Sequence, residues 1–198
     1  MKEKWNEKYS TDEYFFGKEP NDFFKEAIDS IAPGKALFLG EGEGRNSVYA
    51  ATLGWEVDAL DISEVGKQKA NRLAQENNTK INYLVADALE YNYPLETYDA
   101  IVMVYFHIQD DLRENFRKNI IASLKPHGII ILLLYDEDHL KNNNGGPQDI
   151  SFLYTLESVA ESYIDLEFQT FAKEEIVRTK KNKHQKSSII KFIGKKVF

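Results

Sequence analysis

The 198-residue sequence contains no cysteine, which excludes disulfides, thiolate metal sites and cysteine nucleophiles. Long apolar runs are missing too: the longest, Ile129–Leu134, falls far short of a membrane span. The first residues are charged and lack the apolar stretch of a secretory leader, so a cytoplasmic protein is the default expectation. Cations are scarce. Lys and Arg number 25 against 32 Asp and Glu, a formal net charge of −7. That balance makes a poor general nucleic-acid binder, because phosphates need clustered Lys and Arg. The histidines at 107, 127, 139 and 184 are scattered, without the tight spacing of a metal site.

What is present reads as one globular domain. Hydrophobic residues make up 42% and charged residues 29%, outside the disordered range, and 198 residues suit a single core better than two. The charge is uneven. Residues 173–198 hold nine Lys and Arg against two acids, and the remaining 16 cationic and 30 acidic residues leave −14 elsewhere. The basic tail reads either as a solvated strand pair or as an attractor of an anionic substrate.

The order of elements predicts the fold class. Apolar runs at Ala36–Leu39, Glu56–Leu60, Ile81–Val85, Tyr98–Val104 and Ile129–Tyr135 read as strands. Helical patterns lie between or after them at Asn46–Leu53, Glu64–Asn77, Leu112–Leu124 and Leu153–Tyr163. Such alternation implies a parallel sheet covered on both faces. Two last strands, Leu166–Phe171 and Ser188–Ile193, are joined by a polar loop without a helix, so they should be antiparallel neighbours. The expected fold is therefore α/β: a Rossmann-like, doubly wound seven-stranded sheet, mostly parallel with an antiparallel C-terminal strand. Residues 1–30 form an aromatic-rich leader that reads equally as a cap on the sheet or a lid over a ligand site.

The strongest local signal is Leu39-Gly40-Glu41-Gly42-Glu43-Gly44-Arg45-Asn46, where a strand ends, the backbone turns on glycines and a helix begins. The spacing is G-x-G-x-G. The dinucleotide fingerprint G-x-G-x-x-G would need glycine where Arg45 stands. A pyrophosphate seeks a helix N-terminus, and Glu41 and Glu43 would repel it while suiting a ligand that carries positive charge. Asp61 ends the second strand, where a carboxylate accepts from ribose hydroxyls; its other reading is a helix cap, for which Ser63 is better placed. Asp87 ends the third strand, in reach of an adenine amino group, with the Ala88 N–H nearby for a ring nitrogen. Beyond the fourth strand, Tyr105, Phe106 and His107 should face the reacting centre, and His107 reads equally as a general base or as a structural histidine. Asn142-Asn143-Asn144-Gly145-Gly146-Pro147 reads as a surface loop or a substrate-side lid.

Taken together, these segments resemble the class I S-adenosylmethionine-dependent methyltransferases, and within them the tellurite-resistance and thiopurine-methyltransferase-like branch. The leader Trp5-Asn6-Glu7-Lys8-Tyr9 and Phe16-Gly17-Lys18-Glu19-Pro20-Asn21 is similar to the family's W-x-x-[RK]-Y and F-G-x-x-P-N. Gly40–Ser47 resembles its G-x-G-E-G-R-N-[AS] loop. Phe106-His107-Ile108 with Arg113, then Leu124-Lys125-Pro126-His127-Gly128, resembles its H-L-x(5)-R and L-K-P-G-G stretch. Gly145-Gly146-Pro147 and the tail around His184 are similar as well. Two departures stand out: Glu41 replaces the family's small residue, and His127 replaces the first glycine of the Pro-Gly-Gly turn.

The resemblance implies S-adenosylmethionine as cofactor and a small-molecule methyl acceptor, with no nucleic-acid or membrane partner and an oligomeric state that stays unread. It implies that Gly40, Gly42 and Gly44 approach the methionine part, that Asp61 holds the ribose and Asp87 the adenine, and that Tyr9 and Gly17 close the pocket. Glu41, Asn46, Ile62, Ala88 and Tyr105 complete the candidate cofactor contacts, and His107 and Tyr105 are the candidate catalytic residues. The alternatives are an NAD(P)-binding oxidoreductase and a non-catalytic S-adenosylmethionine-binding module.

Overall fold

The computed structural model describes residues 1–142, 145–180 and 183–198, and for 178–180 and 183–185 the backbone alone. Two helices precede the first strand: α1 (Lys2–Tyr9) and α2 (Asp22–Asp29). They were not legible as helices, because aromatic clustering hid their periodicity. The Asn21 side chain caps α2 by accepting from Phe24 N–H, and Phe23, Phe24, Ala27 and Ile28 are its buried face.

Then follow β1 (Lys35–Leu39), α3 (Arg45–Thr52), β2 (Glu56–Asp61), α4 (Glu64–Glu76), β3 (Asn82–Val85), β4 (Tyr98–Val104), α5 (Asp110–Ser123), β5 (Leu124–Tyr135), α6 (Leu156–Ser162), β6 (Leu166–Lys180) and β7 (Lys183–Lys196). Ser63 does cap α4, accepting from Gly66 N–H. The seven-stranded sheet has the order β3-β2-β1-β4-β5-β7-β6. All pairings among β1 to β5 are parallel, and β7 runs antiparallel to both β5 and β6.

Alternation along each strand builds two apolar layers. Phe38, Val57, Val102 and Ile131 face α2, α3 and α4, while Leu37, Leu60, Ile101 and Ile130 face α5 and α6. The strand order reverses between β1 and β4. At such a switch point the connections after the two strands leave in opposite directions and open a crevice at their carboxyl ends. The glycine loop follows β1 and Tyr105 follows β4, so both stand at that crevice.

Two strands differ from expectation. β5 begins at Leu124, because Lys125–Gly128 form a bulge between the pairs Tyr98↔Leu124 and Ala100↔Ile129. β6 and β7 are far longer than their apolar stretches: they pair from Leu166↔Lys196 to Lys180↔Lys183, whereas β7 meets β5 only from Ile189 to Lys195. The expected polar loop is thus mostly a two-stranded ribbon extending past the carboxyl end of β5. Its own ladder satisfies its backbone, so no apolar alternation is needed to sustain it. Among the described residues no helix is long and apolar enough to cross a membrane.

Candidate functional site

Gly40, Gly42 and Gly44 all have positive φ, at +64°, +64° and +90°. The loop is held by hydrogen bonds on each side. Gly40 N–H donates to Leu60 O at 2.8 Å, Gly42 N–H donates to Asp61 Oδ2 at 2.9 Å, and Tyr83 Oη donates to Gly42 O at 2.6 Å. A side chain at position 42 would collide with the Tyr9 phenol, and one at position 44 with the backbone of Ala70.

The two loop glutamates turn into the protein. Glu41 Oε1 accepts from Asn46 N–H at 3.0 Å and Ser47 N–H at 2.8 Å. It thereby caps α3, whose N-cap residue Gly44 has no side chain to do so. Burial pushes the Glu41 carboxyl up to about 7, against the lowering effect of those bonds. Glu43 is buried and paired with Lys69, Oε1 to Nζ 2.5 Å, and its Oε2 accepts from Phe15 N–H at 2.7 Å. This differs from the expectation that both carboxylates face a cationic ligand. The first turn of α3 and the leader's N–H groups need acceptors, and these two side chains supply them.

Asp61 stands at the end of β2, with Oδ2 bonded to Gly42 N–H and Oδ1 accepting from Ser63 N–H at 2.9 Å. Burial raises its carboxyl, and the Ser63 and Gly42 N–H groups oppose that. A carboxylate has about four acceptor sites, so lone pairs remain for further donors. Ile62, half-buried, lies between Asp61 and the cap of α4. Asp87 is exposed just beyond β3, with Oδ1 accepting from Leu89 N–H at 2.9 Å. Ala88 beside it is buried. The Ala86 N–H donates to Asp61 O, which brings the ends of β2 and β3 together.

Beyond β4, Tyr105 has φ +59°, unusual for a non-glycine residue and a form of strain found at ligand sites. Its ring stacks on Tyr135 at 4.7 Å, and Tyr135 stacks in turn on His139 at 4.0 Å. Phe106 packs against Gly40. His107 Nδ1 lies 3.0 Å from Tyr105 O, and its Nε2 accepts from Tyr135 N–H at 2.9 Å. These partners fix the neutral Nδ1–H tautomer, and burial pushes the imidazole down to about 3. Both ring nitrogens are engaged in holding the ends of β4 and β5 together. Arg113 supports the same wall, donating to Ile108 O, Ser151 O and Leu153 O with its guanidinium 3.8 Å from the Tyr154 ring.

From the leader, Tyr9 is buried with its phenol beside Gly42, and burial next to Asp61 raises its hydroxyl well above the usual range. Asn46 Oδ1 accepts from Asn21 N–H at 2.9 Å, so this side chain joins α3 to the leader. Gly17 is exposed, and a Cβ there would meet nothing within 4 Å. It is a turn residue, φ +78°, next to Phe16, whose N–H lies 3.4 Å from Glu43 Oε2 of the glycine loop.

Known proteins share features with this chain. Residues 36–128 match the model of a methyltransferase domain. That segment, just under half of the chain, resembles a methyltransferase domain. Over 173 residues it is 29% identical to a probable S-adenosyl-L-methionine-dependent methyltransferase, TehB, of Haemophilus influenzae, covering 81% of this chain and 57% of that protein. The chain thus spans little more than half the length of the curated relatives it matches. The crystal structure of Haemophilus influenzae TehB superposes with TM-score 0.76 at 23% identity, over 98% of this chain and 66% of the other. The N-methyltransferase NodS of Bradyrhizobium japonicum, solved with S-adenosyl-L-homocysteine, superposes with TM-score 0.71 at 13% identity, over 98% and 97%.

Two residues around this crevice escaped the sequence reading. Asn6 of α1 receives the Ser63 hydroxyl at 2.7 Å, and nothing in an isolated sequence marks it. Lys69 was findable. It lies three residues after Gly66 and four before Leu73, on the buried face of α4, where an uncompensated lysine does not belong.

Proposed function

We propose that the domain binds S-adenosylmethionine over Gly40–Gly44 and directs its methyl group to a small-molecule acceptor by direct displacement. The observation that carries this reading is the carboxylate of Glu41 on the first N–H groups of α3. A dinucleotide places its pyrophosphate on that helix end. Here the chain's own acid already fills it, so the oxidoreductase alternative loses its anion site. What the crevice offers instead is a glycine backbone, the lone pairs of Asp61 beside Gly42, and Asp87 with Ala88 at the next strand end.

When bound, the cofactor supplies an electrophilic sulfonium methyl. The chain supplies alignment and a site closed to water. Asp61 binds vicinal hydroxyls, Tyr9 walls the loop, and Tyr105 with Tyr135 and Tyr154 forms an aromatic face on the acceptor side. Because His107 is held neutral and doubly bonded, it positions this face rather than removing a proton. The acceptor is therefore a nucleophile that needs no strong protein base.

Calorimetric titration tests the reading. S-adenosylhomocysteine should bind and NAD(P) should not; the reverse result overturns the proposal. Asp61→Ala should weaken S-adenosylhomocysteine binding by roughly 1.5–3 kcal/mol, the worth of hydrogen bonds to a charged group. Unchanged affinity would remove Asp61 from the ribose role. Turnover with an added methyl acceptor separates an enzyme from a cofactor-binding module.

A further inference from the structure

A buried ion pair between α4 and the glycine loop binds the leader from both sides, and its geometry is specific. Lys69 Nζ, on α4, donates to three alternate leader carbonyls: Tyr9 O at 3.2 Å, Thr11 O at 2.8 Å and Glu13 O at 2.7 Å. An ammonium has three protons, and most of its acceptors lie in the leader. Glu43 Oε1, 2.5 Å from the same nitrogen, is a fourth acceptor and its nearest one. The other carboxylate oxygen, Oε2, accepts from the leader, from Phe15 N–H at 2.7 Å and Phe16 N–H at 3.4 Å. Tyr14 Oη donates to Lys69 O at 2.9 Å and closes the wrap. Residues 9–16 are thus folded around a cation on α4 and an anion on the loop itself. Both side chains are at most 7% exposed, so solvent screens the pair little.

We infer that Glu43 and Lys69 are positioning residues for the cofactor site: they clamp the leader to the glycine loop and so hold Tyr9 against Gly42 as a fixed wall. This rests on the cofactor reading above. The clamp couples two elements, since the anion belongs to the loop that would meet the cofactor and the cation orders the segment that covers it. A leader that merely packed by apolar contact would have no such dependence on the loop.

The test uses the full chain carrying E43Q together with K69M, which leaves no unpaired buried charge. Hydrogen exchange at residues 9–16 should rise at least tenfold while exchange in β1, β4 and β5 stays as in the wild type. S-adenosylhomocysteine should dissociate at least tenfold faster, and its protection of residues 9–16, present in the wild type, should vanish. A role limited to general stability would instead raise exchange throughout the sheet, and that overturns the clamp. So does unchanged exchange at 9–16, or a freed leader with wild-type dissociation. If the double variant does not fold, E43Q alone keeps the acceptor for Phe15 N–H and gives the same readouts, with a smaller rise at 9–16 expected and none overturning the idea. If the wild type fails to bind S-adenosylhomocysteine, the cofactor reading falls, and leader exchange by itself still decides whether the clamp exists.

Discussion

Glu41 and His107 sit a few residues from the same crevice, and burial drives their proton affinities in opposite senses. Glu41 has a folded-state pKa of about 7 against an ordinary 4.5. The folded chain therefore holds this proton more tightly than the unfolded chain, and the associated stability is complete below pH 4.5 and lost as pH rises through 7. Glu41→Gln keeps an oxygen acceptor for Asn46 and Ser47 without the charge. It should match the wild type near pH 4.5 and exceed it at pH 8 by up to about 3 kcal/mol, read from chemical denaturation at the two pH values. For His107, the folded pKa of about 3 lies below 6.5, so its contribution is present above pH 6.5 and lost as pH falls toward 3. A nitrogen-15 NMR titration should find the imidazole still neutral at pH 5, with the proton on Nδ1. A ring titrating near 6.5 would restore it as a candidate base. Between pH 4.5 and 6.5 the two groups oppose each other, which is why variants, and not the wild-type profile, separate them.

At the level of elements, the alternation of apolar runs and helical faces made the parallel core legible, because β1 to β5 are buried on both faces and announce themselves as continuous apolar stretches. Gly40–Gly44, Asp61 and Tyr105 were legible as strand-end residues for the same reason. The direction of the loop's acids was not, since it depends on which N–H groups of α3 and the leader lack acceptors in the folded chain. The β5 bulge was hidden in what read as a turn. His127 there takes φ +64° and is exposed. A non-glycine residue in that region costs about 1–2 kcal/mol, partly offset by the roughly 0.5–1 kcal/mol of chain freedom that glycine loses on folding. His127→Gly should therefore stabilise the protein by about 0.5–1 kcal/mol. A thermal midpoint unchanged or lowered would show that the bulge accommodates histidine without strain.

Across the whole molecule, the sheet's two ends obey different rules. The parallel part is specified by burial: removing any of its strands opens both apolar layers. The ribbon of β6 and β7 beyond Glu174↔Ile189 is specified mainly by its own ladder, with Ile176 packing partly against the core and Lys186 pairing with Glu175. Stability should then be insensitive to how far the ribbon runs past Val177↔Lys186, a registered pair. Replacing residues 178–185 by Asn-Gly joins that pair through a two-residue turn whose twist matches antiparallel strands. The exchange removes Arg178, Lys180, Lys181 and Lys183, and so moves the net charge from −7 to −11. Thermal unfolding should remain one cooperative transition, within about 1 kcal/mol of the wild type, as expected for a ribbon sustained by its own ladder. S-adenosylhomocysteine affinity should be unchanged, because the glycine loop and Asp61 stand at the ends of β1 and β2, which β4 and β5 separate from this ribbon. A loss of several kcal/mol would show that the ribbon tip packs into the fold, and a loss of cofactor affinity alone would place it over the crevice.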